Sequence, residues 1–99
     1  MRRKLIGFIL LQFVGLAAFS QDERPDGFNR FYYPSGALSS EGTLLNGKPD
    51  GNWKAYYENG KLKQEGKYIN GNKFGDWKYY DNTGKLTKKV RYYDDIQVP

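Results

Sequence analysis

Sliding the sequence against itself by 24 residues superimposes Gly36, Gly60 and Gly84, then Leu38, Leu62 and Leu86, then Tyr32, Tyr56 and Tyr80. At the same offset Glu41, Gly42, Gly47 and Gly51 fall on Glu65, Gly66, Gly71 and Gly75, and Trp53-Lys54 falls on Trp77-Lys78. Even Pro25-Asp26-Gly27 returns as Pro49-Asp50-Gly51, so a half-unit precedes the first full one. A period in the twenties marks a repeat array, in which each unit rests on its neighbours and no single closed core is built. This one feature sets the fold class before any other.

Within each unit, aromatic and β-branched residues stand in short runs bounded by Asn-Gly, Ser-Gly, Thr-Gly or Asp-Gly, and helical periodicity is absent. That pattern predicts two strands per unit joined as hairpins. The expected architecture is all-β: an antiparallel meander of repeated hairpins forming a single elongated sheet of five or six strands. Reading Asn59-Gly60 as a two-residue type I′ turn sets Glu58 against Lys61, Tyr57 against Leu62, Lys54 against Glu65 and Trp53 against Gly66. The same arithmetic around Ser35-Gly36 pairs Tyr33 with Leu38 and Arg30 with Glu41. Around Thr83-Gly84 it pairs Trp77 with Val90 and sets Lys78 against Lys89. A three-residue loop with a glycine bulge is the alternative, and it would shift these pairs by one.

Alternation then divides the residues between two faces. Trp53, Ala55, Tyr57, Leu62, Gln64, Gly66 and Tyr68 share one, with Leu38, Gly42 and Leu44 before them and Trp77, Tyr79, Leu86, Val90 and Tyr92 after. This is the face expected to be buried, and its structural core is Trp53, Trp77, Leu38, Leu62, Leu86, Gly42, Gly66 and Tyr68. Each tryptophan is expected to cover a glycine on the partner strand, Trp53 lying over Gly66. The other face carries Lys54, Lys61, Lys63, Glu65, Lys67 and Lys78. Tyr32, Tyr56 and Tyr80 interleave there as a stripe with rungs about 10 Å apart, two strand spacings. With Lys54 and Lys78, those tyrosines are the candidate binding surface, since exposed Tyr offers contact area with little entropy to lose.

The N-terminus is of another kind. Arg2, Arg3 and Lys4 precede an apolar run from Leu5 to Phe19, and Ala18-Phe19-Ser20 places small residues three and one before a cut that would leave Gln21 first. This reads as an export signal over 1–20, and its apolar run falls short of the ~20 residues of a membrane span. A lead-in over 21–27, repeats over 28–94 and a tail over 95–99 complete the organisation. The expected location is periplasmic or extracellular, with no stable membrane span after cleavage.

Composition matters once the signal is set aside. Residues 21–99 hold 13 basic and 11 acidic side chains, a net charge of +2, where the whole chain has +5. Evenly mixed signs give no concentrated positive field for a phosphate backbone, so nucleic acid is not an expected partner. The sequence contains no Cys and no His. The usual thiol nucleophile, the side chain that titrates near neutrality and the common transition-metal ligands are therefore missing. Asp81-Asn82 and Asp94-Asp95 lack the alternating oxygens of a calcium loop. No cofactor and no metal are expected, and the chain is not read as an enzyme.

Tyr56 to Gly71, Tyr-Tyr-Glu-Asn-Gly-Lys-Leu-Lys-Gln-Glu-Gly-Lys-Tyr-Ile-Asn-Gly, followed by Lys73-Phe74-Gly75-Asp76-Trp77-Lys78-Tyr79-Tyr80, resembles the MORN-repeat variant. The resemblance covers roughly residues 26–94 and implies β-hairpins joined into an elongated antiparallel sheet. Bacterial proteins of this kind are often grouped as a YwqK-type antitoxin family, a label that implies neutralising a toxin partner. MORN repeats at large imply scaffolding and protein contacts near membranes. The expected function is thus an exported, non-enzymatic module that mediates protein–protein interaction, or self-association, through an aromatic-rich sheet surface. The alternatives are a module binding cell-wall glycan and an antitoxin or immunity protein.

Overall fold

The computed structural model describes residues 24–99; the expected export signal over 1–20 lies outside the described residues, as does the start of the lead-in. Seven strands follow one another: β1 (Gly27–Tyr32), β2 (Leu38–Leu45), β3 (Lys48–Tyr56), β4 (Leu62–Ile69), β5 (Asn72–Tyr80), β6 (Leu86–Tyr93) and β7 (Ile96–Val98). Each pairs antiparallel with the next, in one open sheet. The meander is the expected one with an additional strand, because the tail pairs Ile96 with Tyr93 and Val98 with Arg91. The radius of gyration is 15.9 Å and the extents are 47 × 29 × 20 Å. A chain of this size packed around a closed core would reach about 12 Å, so among the described residues the sheet is a slab without a second layer.

Two kinds of connection alternate along the meander, and each has its own chemistry. Asn46-Gly47, Asn70-Gly71 and Asp94-Asp95 are two-residue turns in which both residues have positive φ, from 52° to 87°. That is the type I′ geometry, which Asn, Asp and Gly tolerate best. The connections through Ser35-Gly36, Asn59-Gly60 and Thr83-Gly84 are longer. In the second, Tyr57 O accepts the Gly60 amide at 2.9 Å, and the Tyr57 amide donates to Lys61 O at 2.9 Å. Only Gly60 takes a positive φ there, and Asn59 Oδ1 accepts the Lys61 amide at 2.9 Å. The two-residue turn expected at Asn59-Gly60 is therefore corrected to the glycine-bulge loop. Ser35 and Thr83 fit such a loop because neither must enter the left-handed region.

The correction leaves most of the register in place. Close to each loop the pairing is displaced by one, giving Tyr32–Leu38, Tyr56–Leu62 and Tyr80–Leu86 where Tyr33–Leu38 and Tyr57–Leu62 were expected. A bulge one residue further on restores the expected frame. Arg30 then faces Glu41, Lys54 faces Glu65, Trp53 faces Gly66, Trp77 faces Val90 and Lys78 faces Lys89. The Glu58–Lys61 pair is absorbed into the loop and does not form in the ladder.

Among the described residues the buried hydrophobic side chains are Leu44, Trp77 and Val90. Trp77 is 1% exposed and is the largest fully buried group. Its indole occupies the space above Gly66, so closely that a Cβ at that glycine would fall inside the ring; Trp53 stands over Gly42 in the same way. The expectation that Trp53 covers Gly66 is thus reversed in direction: each indole leans back over the glycine of the preceding strand. The indole nitrogen explains the lean, since Trp53 Nε1 donates to Thr43 O at 2.9 Å and Trp77 Nε1 to Lys67 O at 3.1 Å, both on that strand. Leu86, expected in the core, is 48% exposed, because β7 pairs only with Arg91 to Tyr93 and leaves the rest of β6 uncovered on that side.

Successive units are also tied by hydroxyl groups. Tyr33 Oη donates to Tyr56 O at 2.5 Å and Tyr57 Oη to Tyr80 O at 2.7 Å, each linking one unit to the next. The third unit has Asp81 at this position, and its carboxylate instead accepts from the Thr83 amide at 2.9 Å and Thr83 Oγ1 at 2.6 Å. Tyr57→Phe keeps the ring and deletes one such tie. The expected cost is about 1 kcal/mol, a fall in Tm of roughly 5 °C by circular dichroism. An unchanged melting curve would show that the tie contributes nothing.

Candidate interaction surface

The two faces of the sheet are chemically distinct. On the first, a ladder of rings crosses the strands: Phe31 stacks on Trp53 at 6.1 Å, Trp53 meets Tyr68 edge-on at 6.3 Å, Tyr68 meets Trp77 at 4.9 Å and Trp77 meets Tyr92 at 6.5 Å. Offset and T-shaped contacts of this kind add to the apolar area they bury. Trp53, Tyr68, Tyr79 and Tyr92 remain only half-buried, for among the described residues no second layer covers them. Burial still pushes the Tyr68 phenol above its ordinary value.

Lys73 lies among these rings. Its Nζ stands 4.8 Å from the centre of the Trp77 ring, 5.0 Å from Tyr92 and 5.8 Å from Tyr79. It donates to Tyr79 Oη at 3.3 Å, and the Tyr79 and Tyr92 hydroxyls are 3.1 Å apart. That hydroxyl contact raises the Tyr92 phenol. An ammonium at these distances is held by the negative faces of the rings. Strand alternation puts Lys73 on the face of Trp77 and Tyr79, and the two-residue register shift opposite Glu65–Lys67 keeps it there; what alternation does not give is the reach of its ammonium to the Tyr92 ring on the next strand.

A shallow depression of 220 Å³ opens one unit earlier on the same face, bordered by Pro49, Trp53, Ala55, Gln64, Tyr68 and Trp77 among others. It is smaller than the roughly 300–1,000 Å³ of a drug-sized pocket.

The opposite face carries the expected tyrosines and lysines, with glutamates between them. Across the strands the register sets Arg30, Glu41, Lys54, Glu65, Lys78 and Lys89 in one row. Signs alternate along it until the last step, where two lysines meet. Arg30 Nε bonds Glu41 Oε1 at 3.1 Å, and Arg91 Nε bonds Asp76 Oδ1 at 2.9 Å. Both pairs are exposed and worth little individually.

The tyrosine stripe is tied to this row. Tyr56 Oη donates to Glu41 Oε2 at 2.6 Å and Tyr80 Oη to Glu65 Oε2 at 2.7 Å. Partial burial and then the Glu41 carboxylate push the Tyr56 phenol up to about 12. The Glu65 bond raises the Tyr80 phenol likewise. In return the Tyr56 hydroxyl, followed by Arg30, holds the Glu41 carboxyl below its usual range. Tyr32 is 61% exposed. The sequence pattern grouped Tyr32, Tyr56, Tyr80, Lys54 and Lys78, but the Tyr–Glu bonds run diagonally, between residues 15 apart, and a frame of directly opposed pairs does not show them.

Among the described residues no group of three or more His, Cys, Asp or Glu side chains could hold a metal ion. No helix there is long and apolar enough to cross a membrane.

The fold and its two faces define an open-sheet protein of repeated β-hairpins. Residues 49–70 and 75–95 match a model of the MORN repeat variant. That repeat type is generally a protein- or membrane-binding module and is not an enzymatic one. Searches of curated proteins and of solved structures found no match.

Proposed function

We propose that the chain is an exported, non-enzymatic repeat module that binds another protein through its aromatic-rich sheet surface. The observation that carries the reading is the one-layer sheet of the described residues: the rings of Trp53, Tyr68, Tyr79 and Tyr92 are left half-buried where a closed domain would pack a second layer. Exposed aromatic surface of this kind is the usual material of a contact centre. The match to the MORN repeat variant supports binding in place of catalysis.

The test is covalent crosslinking in the producing cell with the C-terminally tagged chain, followed by mass spectrometry of what is retained. One dominant protein is expected. Ala55→Lys, which puts a cation among the rings, and Tyr56→Ala with Tyr80→Ala, which strips the opposite stripe, locate the contact: the variant that reduces capture marks the face used. Recovery of the chain alone, or of cell-wall glycan alone, refutes the reading, as does capture that neither variant alters.

A further inference from the structure

The 24-residue repeat places the same site in two states. Trp53 and Tyr68 of one unit correspond to Trp77 and Tyr92 of the next. The two ring pairs have nearly the same geometry, 6.3 Å and 85° against 6.5 Å and 89°. Between the walls of the second pair sits the Lys73 ammonium. Between the walls of the first, the residue corresponding to Lys73 is Pro49, which carries no cation, and Tyr79 is replaced by Ala55. The depression of 220 Å³ borders these two replacements.

We propose that this depression is a binding site for a lysine side chain supplied by the protein partner, which would take the place that Lys73 takes one unit later. The proposal rests on the interaction reading above and adds the chemistry of the contact. The walls include the rings of Trp53 and Tyr68, and aromatic rings attract a cation without need of a carboxylate. Trp77 also borders the depression, its ring already held against Gly66 and the Lys73 ammonium. Lys54 also borders the depression, and the register sets it between Glu41 and Glu65 in the charge row. The volume suits the end of one side chain and not a drug-sized molecule.

The test uses ¹⁵N-labelled protein, the Trp53 indole N–H signal, and two blocked pentapeptides, Gly-Gly-Lys-Gly-Gly and the same peptide with norleucine for lysine. The lysine peptide is expected to shift the Trp53 signal and to bind about tenfold more tightly than the norleucine peptide. Pro49→Lys supplies the cation internally, copying Lys73, and is expected to abolish the peptide shift and to move its own lysine ε-methylene protons upfield. Ala55→Tyr restores the third ring and is expected to tighten binding about fivefold. Equal binding of the two peptides, no binding of either, or undiminished binding to Pro49→Lys overturns the site; so does much tighter binding of choline, which would assign it to a quaternary headgroup. A partner captured equally well by Pro49→Lys overturns the site and leaves the interaction reading standing. Peptide binding without any captured partner supports the site, and it is then the interaction reading that falls.

Discussion

Gly66→Ala is expected to lower the melting temperature by about 15–20 °C, a loss of roughly 3 kcal/mol or more from a domain whose whole stability is on the order of 5 kcal/mol. The added methyl would lie within the Trp77 ring. That ring cannot step aside: it is 1% exposed, held by Tyr68 and Tyr92 edges, and its N–H is committed to Lys67 O. Gly42→Ala makes the same collision with Trp53. Trp53 is only half-buried and can tilt outward, so about 1–2 kcal/mol is expected there. Thermal melts followed by tryptophan fluorescence would rank the pair. A Gly66→Ala protein melting within a few degrees of the parent would contradict the packing described.

In alkali, the sheet is expected to lose stability between pH 10 and pH 12, before its backbone pairing is chemically threatened. The phenol of Tyr56 is pushed up to about 12, against 10.0 for a free tyrosine. A raised value means that the folded sheet favours the neutral phenol. Its stabilisation is complete below pH 10 and is lost as the pH climbs through 12. Tyr80, Tyr92 and Tyr68 are raised too and act in the same direction. Denaturant melts at pH 8, 10, 11 and 12 on the parent and on Tyr56→Phe with Tyr80→Phe isolate the effect, because lysine deprotonation is common to both. The variant should be the less stable at pH 8, having lost two hydrogen bonds, and the more stable at pH 12. A difference that stays constant across the series would exclude the coupling. Acid acts through the same contact in the opposite sense: the lowered Glu41 carboxyl contributes above its ordinary value and ceases to contribute as pH falls through its folded one.

These contacts differ in how far the linear sequence announces them. The strands, the pairing of Arg30 with Glu41 and of Lys54 with Glu65, and the burial of Trp77 follow from a 24-residue offset combined with period-two alternation. Both rules are local and survive the loop correction, because the bulge beside each loop adds back the residue that the loop removes. What was not legible depends on atoms reaching between strands. The backward lean of the indoles is fixed by where Nε1 finds a carbonyl. Glu41 and Glu65 meet tyrosines diagonally, and the Lys73 ammonium reaches rings on two strands. Gly51 and Gly75, glycines inside strands with φ of 95° and 78°, were the available signal for the register shifts between β2 and β3 and between β4 and β5.

The row of charges has a consequence for polymer growth. Among the described residues most of β6 is unpaired on one side, and a sheet with an open edge is a template for further strands. A second copy adding there in step with the repeat would bring its β1 alongside, with Arg30 opposite Lys89, which already faces Lys78: three cations in succession. Val90 occupies the place of Gly42 and Gly66, and the added β1 has Asn29 where Trp53 and Trp77 stand, so no indole packs over a glycine there. The regularity that builds the sheet is thus interrupted at the edge where it could propagate into a fibre, and two side chains are enough to interrupt it.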